Sequence, residues 1–139
     1  MKPWQPLCLL LSLLGSTSCA SATRIKVEAA ETTNAGRSFY MLIRQVEQEE
    51  VLAASYEEAA QRVFTREAAP EGELRKVIIP GTPLTVDVDA QSKRDIVLYF
   101  FFTEPGDRWW LSIARDRLPA EIVIDLGINE VERVGVRGR

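Results

Sequence analysis

Histidine is absent from this chain of 139 residues, and cysteine occurs only twice, at Cys8 and Cys19. Without histidine, the chain cannot supply a Ser-His-Asp triad, a Cys-His dyad or a histidine-based metal site. Its formal net charge of −3, from 17 basic and 20 acidic residues, disfavours nucleic acid as a partner, because such binding needs a basic surface. These absences remove most enzyme classes and leave carboxylates as the candidate catalytic groups.

A hydrophobic run of membrane-spanning length is also missing. The leucine-rich run around Cys8 has roughly 8 residues, whereas a spanning helix needs roughly 20. It follows a single basic residue, Lys2, and precedes small residues, which is the pattern of a secretory signal peptide. We therefore predict a signal peptide of the lipoprotein type over residues 1–18, an anchor or linker over 19–23, a folded domain over 24–134 and a disordered tail over 135–139.

Two cleavage sites compete at the end of this signal. Ser16-Thr17-Ser18-Cys19 places small residues before a cysteine, as in a bacterial lipobox, and would make Cys19 the lipidated first residue of the mature chain. Ala20-Ser21-Ala22 fits ordinary signal peptidase cleavage before Thr23 and would release a soluble periplasmic protein. Either product has about 120 residues, enough for one domain with one core. Neither retains two cysteines for an internal disulfide.

Alternation of polar and apolar residues predicts strands along most of the chain, as in Arg24–Ala30. Ile96–Phe102 is apolar throughout, which is typical of a central strand covered on both faces. One helix is predicted at about residues 55–66, where Ser55 and Glu58 can form a capping box. The pattern predicts a mostly β protein, a two-sheet β-sandwich with one helical insert and seven strands at about residues 24–30, 39–46, 74–79, 84–89, 95–103, 109–113 and 122–126.

Two candidate sites follow from residue types alone. Asp87 and Asp89 share one strand face at a separation of about 7 Å, which suits a hard cation or acid–base chemistry but is more typical of a solvated face. Trp109 and Trp110 are adjacent, so one is expected in the core and the other outward or under the helix. With Tyr99–Phe102, they suggest an alternative function: a soluble periplasmic module that binds a small apolar ligand or a protein.

The order of features along the chain resembles that of a known family. A signal peptide ending near a cysteine precedes a strand, an Asn/Gly loop and an apolar strand that ends in Arg44-Gln45-Val46. The helical insert, an Ile79-Pro80-Gly81 turn, the aromatic strand Tyr99–Phe102 and the Trp109-Trp110 strand follow. Over roughly residues 24–131 this order resembles the type VI secretion lipoproteins of the TssJ kind. Arg44 stands where that family has an aromatic residue.

The resemblance implies a transthyretin-like β-sandwich, attached by lipid on Cys19 to the periplasmic face of the outer membrane. Such proteins are structural subunits of the trans-envelope membrane complex, and they bind the periplasmic domain of a TssM-like inner-membrane protein. They are not enzymes, and neither a cofactor, a nucleic acid nor a small-molecule substrate is implied. In that family the loop between the first two strands binds the partner, and here it maps to Thr32, Thr33, Asn34, Ala35, Gly36 and Arg37.

Overall fold

The computed structural model describes residues 22–47, 55–65, 67–89 and 94–138, so the predicted signal peptide and Cys19 lie outside it. Short 3-10 turns occupy Thr33–Gly36 and Arg115–Arg117. Within the described ranges, no helix is long and apolar enough to cross a membrane. The strands and the helix follow in the order β1 (Ala22–Ala29), β2 (Phe39–Val46), α1 (Tyr56–Phe64), β3 (Glu73–Ile78), β4 (Leu84–Asp89), β5 (Asp95–Phe101), β6 (Trp110–Ile113), β7 (Glu121–Leu126) and β8 (Val131–Arg137).

The strands form two four-stranded sheets. Sheet A has the order β4-β1-β7-β8, and sheet B has the order β3-β2-β5-β6. Neighbouring strands are antiparallel except β1 and β7, which run parallel. The predicted two-sheet β-sandwich with one helical insert is therefore confirmed.

The main core lies between the two sheets and is built from alternate positions along the strands. Burial of this apolar surface is the principal force that holds the sheets together. Its most buried members are at most 1% exposed and include Ile25, Ile122 and Ile124 from sheet A and Met41, Leu98 and Phe100 from sheet B.

Helix α1 covers the outer face of sheet B. The predicted capping box forms, because Glu58 N–H donates to Ser55 Oγ and Ser55 N–H donates to the Glu58 carboxylate. Ala59 and Val63 are buried and belong to a second apolar cluster with residues of β2 and β5. Strand β5 is therefore covered on both faces, as its uninterrupted apolar run predicted.

An aromatic contact fixes the first turn of α1 to sheet B. Tyr56 Oη donates to the Phe102 carbonyl oxygen at 2.8 Å, and its ring meets the Trp109 ring edge-on at 4.9 Å. Burial, with a smaller contribution from the Glu57 charge, raises the pKa of the Tyr56 phenol above its ordinary value. The hydroxyl therefore remains protonated, as this hydrogen bond requires.

Two of the predicted boundaries are wrong. The predicted tail begins at residue 135, but residues 135–137 belong to strand β8, an eighth strand that pairs with β7. Its Val134 and Val136 are 38% and 66% exposed, so the strand carries a weak apolar signal in the sequence. The predicted linker over 19–23 is also too long, because β1 begins at Ala22 and Thr23 is completely buried.

Candidate partner-binding end of the sandwich

The strand directions give the sandwich two ends, which we call the anchor end and the loop end. The anchor end contains the start of β1 and the connection over residues 114–120, since Thr23 Oγ1 donates to the Pro119 carbonyl oxygen and Arg24 N–H to that of Ala120. The loop end contains the connections over residues 30–38, 79–83, 102–109 and 127–130. The two ends are about 25 Å apart along β1, a strand of eight residues rising ~3.3 Å each.

The loop predicted to bind a partner lies at the loop end and has an unusual backbone. Asn34 has φ 52° and ψ 35°, Ala35 has φ 54° and ψ 35°, and Gly36 has φ 74°. Glycine adopts this left-handed region freely and asparagine tolerates it, whereas an alanine there costs roughly 1 kcal/mol. Contacts elsewhere must therefore hold the loop in this shape.

Asn34 supplies most of those contacts and is 6% exposed. Its backbone N–H donates to the Ile128 carbonyl oxygen at 2.6 Å, and its Oδ1 accepts from Thr103 N–H at 2.8 Å. Its Nδ2 donates to the Arg37 carbonyl oxygen at 3.0 Å. Asn34 thus joins the β1–β2, β5–β6 and β7–β8 connections.

Thr33 has the same structural role as Asn34. It is completely buried, and its Oγ1 donates to the Leu126 carbonyl oxygen at 3.3 Å. Of the six residues predicted as one binding loop, Thr33 and Asn34 therefore lie inside the molecule and fix the loop. The other four, Thr32, Ala35, Gly36 and Arg37, are exposed.

The exposed part of the loop borders a shallow cleft of about 120 Å³ that sequence reasoning missed. The cleft is lined by Asn34, Ala35, Arg37, Thr103, Glu104, Ile128 and Asn129. Ile128 is 70% exposed at the tip of the β7–β8 connection. The one sequence signal for this cleft is the position of Ile128 between Gly127 and Asn129, because an isoleucine is unusual in so polar a turn. Among the described residues, no ion pair engages the Arg37 guanidinium, which is available to a partner.

The two aspartates considered as a catalytic pair lie on the outer face of sheet A. Both are exposed on β4, and Asp87 Oδ1 accepts a hydrogen bond from Arg24 Nε at 3.0 Å. In the described ranges, no three His, Cys, Asp or Glu side chains come together as a metal site would require. The pair therefore has the geometry of a solvated strand face with an ion pair.

Both tryptophans are packed in the structure. Trp109 stacks on Tyr99 at 5.6 Å between ring centroids, and Trp110 packs against the cluster beneath α1. The groove of about 750 Å³ beside α1 is lined by charged side chains, among them Arg44, Arg62 and Glu73, and lies away from these rings. The two tryptophans therefore pack within the fold, and neither of them lines this groove.

Arg44 is accommodated by a carboxylate directly across the sheet. It pairs in register with Glu73, whose Oε1 accepts from Arg44 Nε at 3.0 Å and from Arg62 Nη1 at 3.4 Å. The side chains of Arg44 and Glu73 are 11% and 6% exposed. A buried charged pair thus accommodates the arginine at which this sequence departs from the family pattern.

The sequence family described as "IglE, N-terminal domain" matches residues 40–125, more than half of the chain. The chain belongs to this family of type VI secretion lipoproteins. Among curated proteins, none matches the sequence significantly.

Solved structures share the fold of this IglE-family chain at low sequence identity. The T6SS lipoprotein TssJ1 from Pseudomonas aeruginosa is 12% identical, with a TM-score of 0.65 over 86% of this chain and 98% of that one. Serratia marcescens Lip, a membrane bound component of the type VI secretion system, is 15% identical, with a TM-score of 0.60 over 86% and 99%. A chain of the structure described as "T6SS protein TssM C-terminal domain (869-1107) from EAEC" is 16% identical, with a TM-score of 0.68 over 84% and 98%.

The family match and the shared fold confirm the resemblance drawn from the order of sequence features. The match begins at Tyr40, so the family assignment depends on β2 to β7 and not on the predicted binding loop. The roles of that loop and of Cys19 in this IglE-family chain are therefore matters of proposal.

Proposed function

We propose that this chain is a lipid-anchored, non-catalytic subunit of the type VI secretion membrane complex. Lipid on Cys19 attaches its anchor end to the periplasmic face of the outer membrane. The exposed loop residues Ala35–Arg37, with Glu104 and Ile128 beside them, bind the periplasmic domain of a TssM-like inner-membrane protein. The observation that carries the proposal is the direction of β1. This strand starts at Ala22, three residues after Cys19, and runs to the candidate binding loop.

The start of β1 favours the lipoprotein cleavage site over the competing site. Cleavage before Thr23 would remove Ala22, which pairs with Asp89. It would also create a charged α-ammonium group on Thr23, a residue with no exposed surface. An unpaired charge at such a position is costly, whereas cleavage before Cys19 leaves β1 intact.

A short linker then holds the domain directly against the membrane. Only Ala20 and Ser21 separate Cys19 from β1, so the Cys19 and Ala22 Cα atoms are at most about 11 Å apart. The loop end then projects into the periplasm, away from the outer membrane. Membrane attachment raises the local concentration of this surface and hence its apparent affinity for a partner.

Exchange of the anchoring cysteine tests the proposal. Cys19→Ser should move the protein from the membrane fraction to the soluble periplasmic fraction, because the lipid attachment is lost. Cys8→Ser is the matched control and should leave the protein in the membrane, since Cys8 is removed with the signal peptide. Mass spectrometry of the mature N-terminus should find a lipidated cysteine, and an unmodified Thr23 N-terminus would contradict the proposal.

A further inference from the structure

We propose that the two edges of sheet A bind each other between neighbouring copies of this chain, so that β8 of one copy pairs in parallel with β4 of the next. Both strands are edge strands of sheet A in the described structure. Edge strands offer unpaired backbone groups that another strand can engage. This inference rests on the proposed anchoring through Cys19, because attachment to one membrane fixes how the copies face each other.

The first observation is the apolar surface of β8. Val134 and Val136 lie opposite Ile124 and Ile122 of β7, which are completely buried. The two valines therefore face the core side of sheet A, yet they are 38% and 66% exposed. Val131 N–H donates to the Arg108 carbonyl oxygen in the connection before β6, so β8 lies at the β6 edge of the sandwich, and β6 has four residues where β8 has seven.

Charge distinguishes the two edges of sheet A. The outer face of β8 carries Arg133 and Arg137, whose side chains are 78% and 77% exposed. The outer face of β4 carries Asp87 and Asp89, both exposed. Contact of β8 with β8 or of β4 with β4 would oppose like charges, which destabilises a strand pair, whereas contact of β8 with β4 opposes unlike charges.

The strand registers place complementary residues at the same height on the two edges. Arg137 pairs with Glu121, which pairs with Arg24, which pairs with Asp87, so Arg137 and Asp87 occupy one row across the sheet.

The neighbouring rows on the core side also match. By the same register, Val136 lies level with Val86, and Val134 lies level with Leu84. A copy placed beside the sheet without a shift along the strands therefore continues both its apolar rows and its charged row.

The sheet already contains a strand pair of this composition. In β1, Arg24 lies on the outer face beside Ile25 on the core face, as Arg137 lies beside Val136 in β8. Its antiparallel partner β4 places Asp87 directly opposite Arg24, and Asp87 accepts a hydrogen bond from Arg24 at 3.0 Å. A strand with the composition of β4 is therefore suited to β8.

Strand direction agrees with attachment to a common membrane. Strands β4 and β8 both run from the loop end to the anchor end, since β4 is antiparallel to β1, β1 is parallel to β7, and β8 is antiparallel to β7. Parallel pairing of β8 with β4 leaves every anchor end on the same side. A two-fold contact of β8 with β8 would invert one copy and separate its anchor end from the membrane. The contact is head-to-tail, as in rings and open arrays.

Cysteine crosslinking of the full-length lipoprotein in membranes tests the pairing. Gly135 and Thr85 occupy the same row, and a Cβ on Gly135 would have Val123 O, at 3.9 Å, as its nearest neighbour. With a short bismaleimide, a G135C/T85C protein should give a ladder of multimers, and a mixture of the two single variants should give dimers. The matched control pairs G135C with V77C and should give neither product. Val77 is exposed on the outer face of β3, an edge strand of the other sheet, sheet B.

Charge reversal tests the chemistry of the contact. Arg137→Glu or Asp87→Arg alone should lower the ladder yield ~5-fold through like-charge repulsion across the contact, and the two together should restore it. Each change also breaks an ion pair within its own sheet, Arg137–Glu121 or Arg24–Asp87. Circular dichroism and the unfolding midpoint therefore check that every variant is folded. Dimers from G135C alone, a crosslink to a different protein, no ladder above the V77C control, or a yield indifferent to charge would each overturn the pairing. If the double-cysteine protein forms no crosslinked multimers but remains in the membrane fraction, only this inference is refuted. If the unsubstituted protein is found outside the membrane fraction, the proposed anchoring is refuted.

Discussion

The two ends of the sandwich are built differently. At the loop end, one buried residue, Asn34, joins three chain connections through its backbone N–H and its side-chain amide, and it holds Ala35 in a strained backbone conformation. At the anchor end, Thr23 and Arg24 secure β1 to a single connection, and a buried ion pair between Arg44 and Glu73 lies on the neighbouring sheet. The comparison shows that the polar contacts at the loop end fix the shape of an exposed surface. Those at the anchor end hold strands and connections together.

The largest effect on stability is expected from the anchor end. Arg44→Ala should lower the free energy of unfolding by about 3 kcal/mol, because Glu73 would remain buried without its closest partner. Urea denaturation measures this change. Replacement of both residues, Arg44→Met with Glu73→Leu, should stay within about 1 kcal/mol of the original protein, and an equal loss in the double variant would show that the packing and not the charge pair is responsible.

A smaller loss of stability is expected at the loop end. Asn34→Ala should lower the free energy of unfolding by about 2 kcal/mol, because Thr103 N–H and the Arg37 carbonyl lose their partner. It should also weaken partner capture by disordering the loop. Asn129→Ala on the adjacent connection is the control and should cost less than about 0.5 kcal/mol. If both variants unfold at the same denaturant concentration, the junction role of Asn34 is refuted.

Arg37 should separate binding from stability. Arg37→Glu should reduce affinity for the TssM-like periplasmic domain about 10-fold, because a guanidinium exposed at the loop end is replaced by a carboxylate. The unfolding midpoint should not change. Isothermal titration calorimetry measures the affinity, with Arg117→Glu at the anchor end as the matched control. A greater loss of affinity in Arg117→Glu than in Arg37→Glu would place the partner at the wrong end of the sandwich.

The smallest effect is a gain in stability. Ala35→Gly should raise the free energy of unfolding by about 0.5 kcal/mol, because glycine adopts a φ of 54° without the strain of a Cβ. Ala114→Gly at the anchor end, where φ is −64°, should have the opposite sign and cost about 0.5 kcal/mol. Thermal denaturation of both variants measures the difference, and a loss in Ala35→Gly would show that the loop is not strained.

Strong local patterns predicted most of the fold. The alternation in β1 and β4, the apolar run of β5 and the capping box of α1 were all visible in the sequence, because each is set by residues close together along the chain. Strand β8 was missed because its valines alternate with charged residues and glycine and remain exposed. A strand whose stability comes mainly from pairing with β7 leaves little signal of its own.

The sequence by itself determined the class of fold and the position of the candidate loop, since composition, periodicity and the order of motifs are local properties. Only the tertiary structure decided which residues of that loop are available to a partner. Thr33 and Asn34 look as polar and accessible as Arg37 in the sequence, but bonds to residues 69 and 93 positions away bury them. The same long-range registers set Arg137 level with Asp87, an arrangement that depends on strand pairing and not on neighbours along the chain.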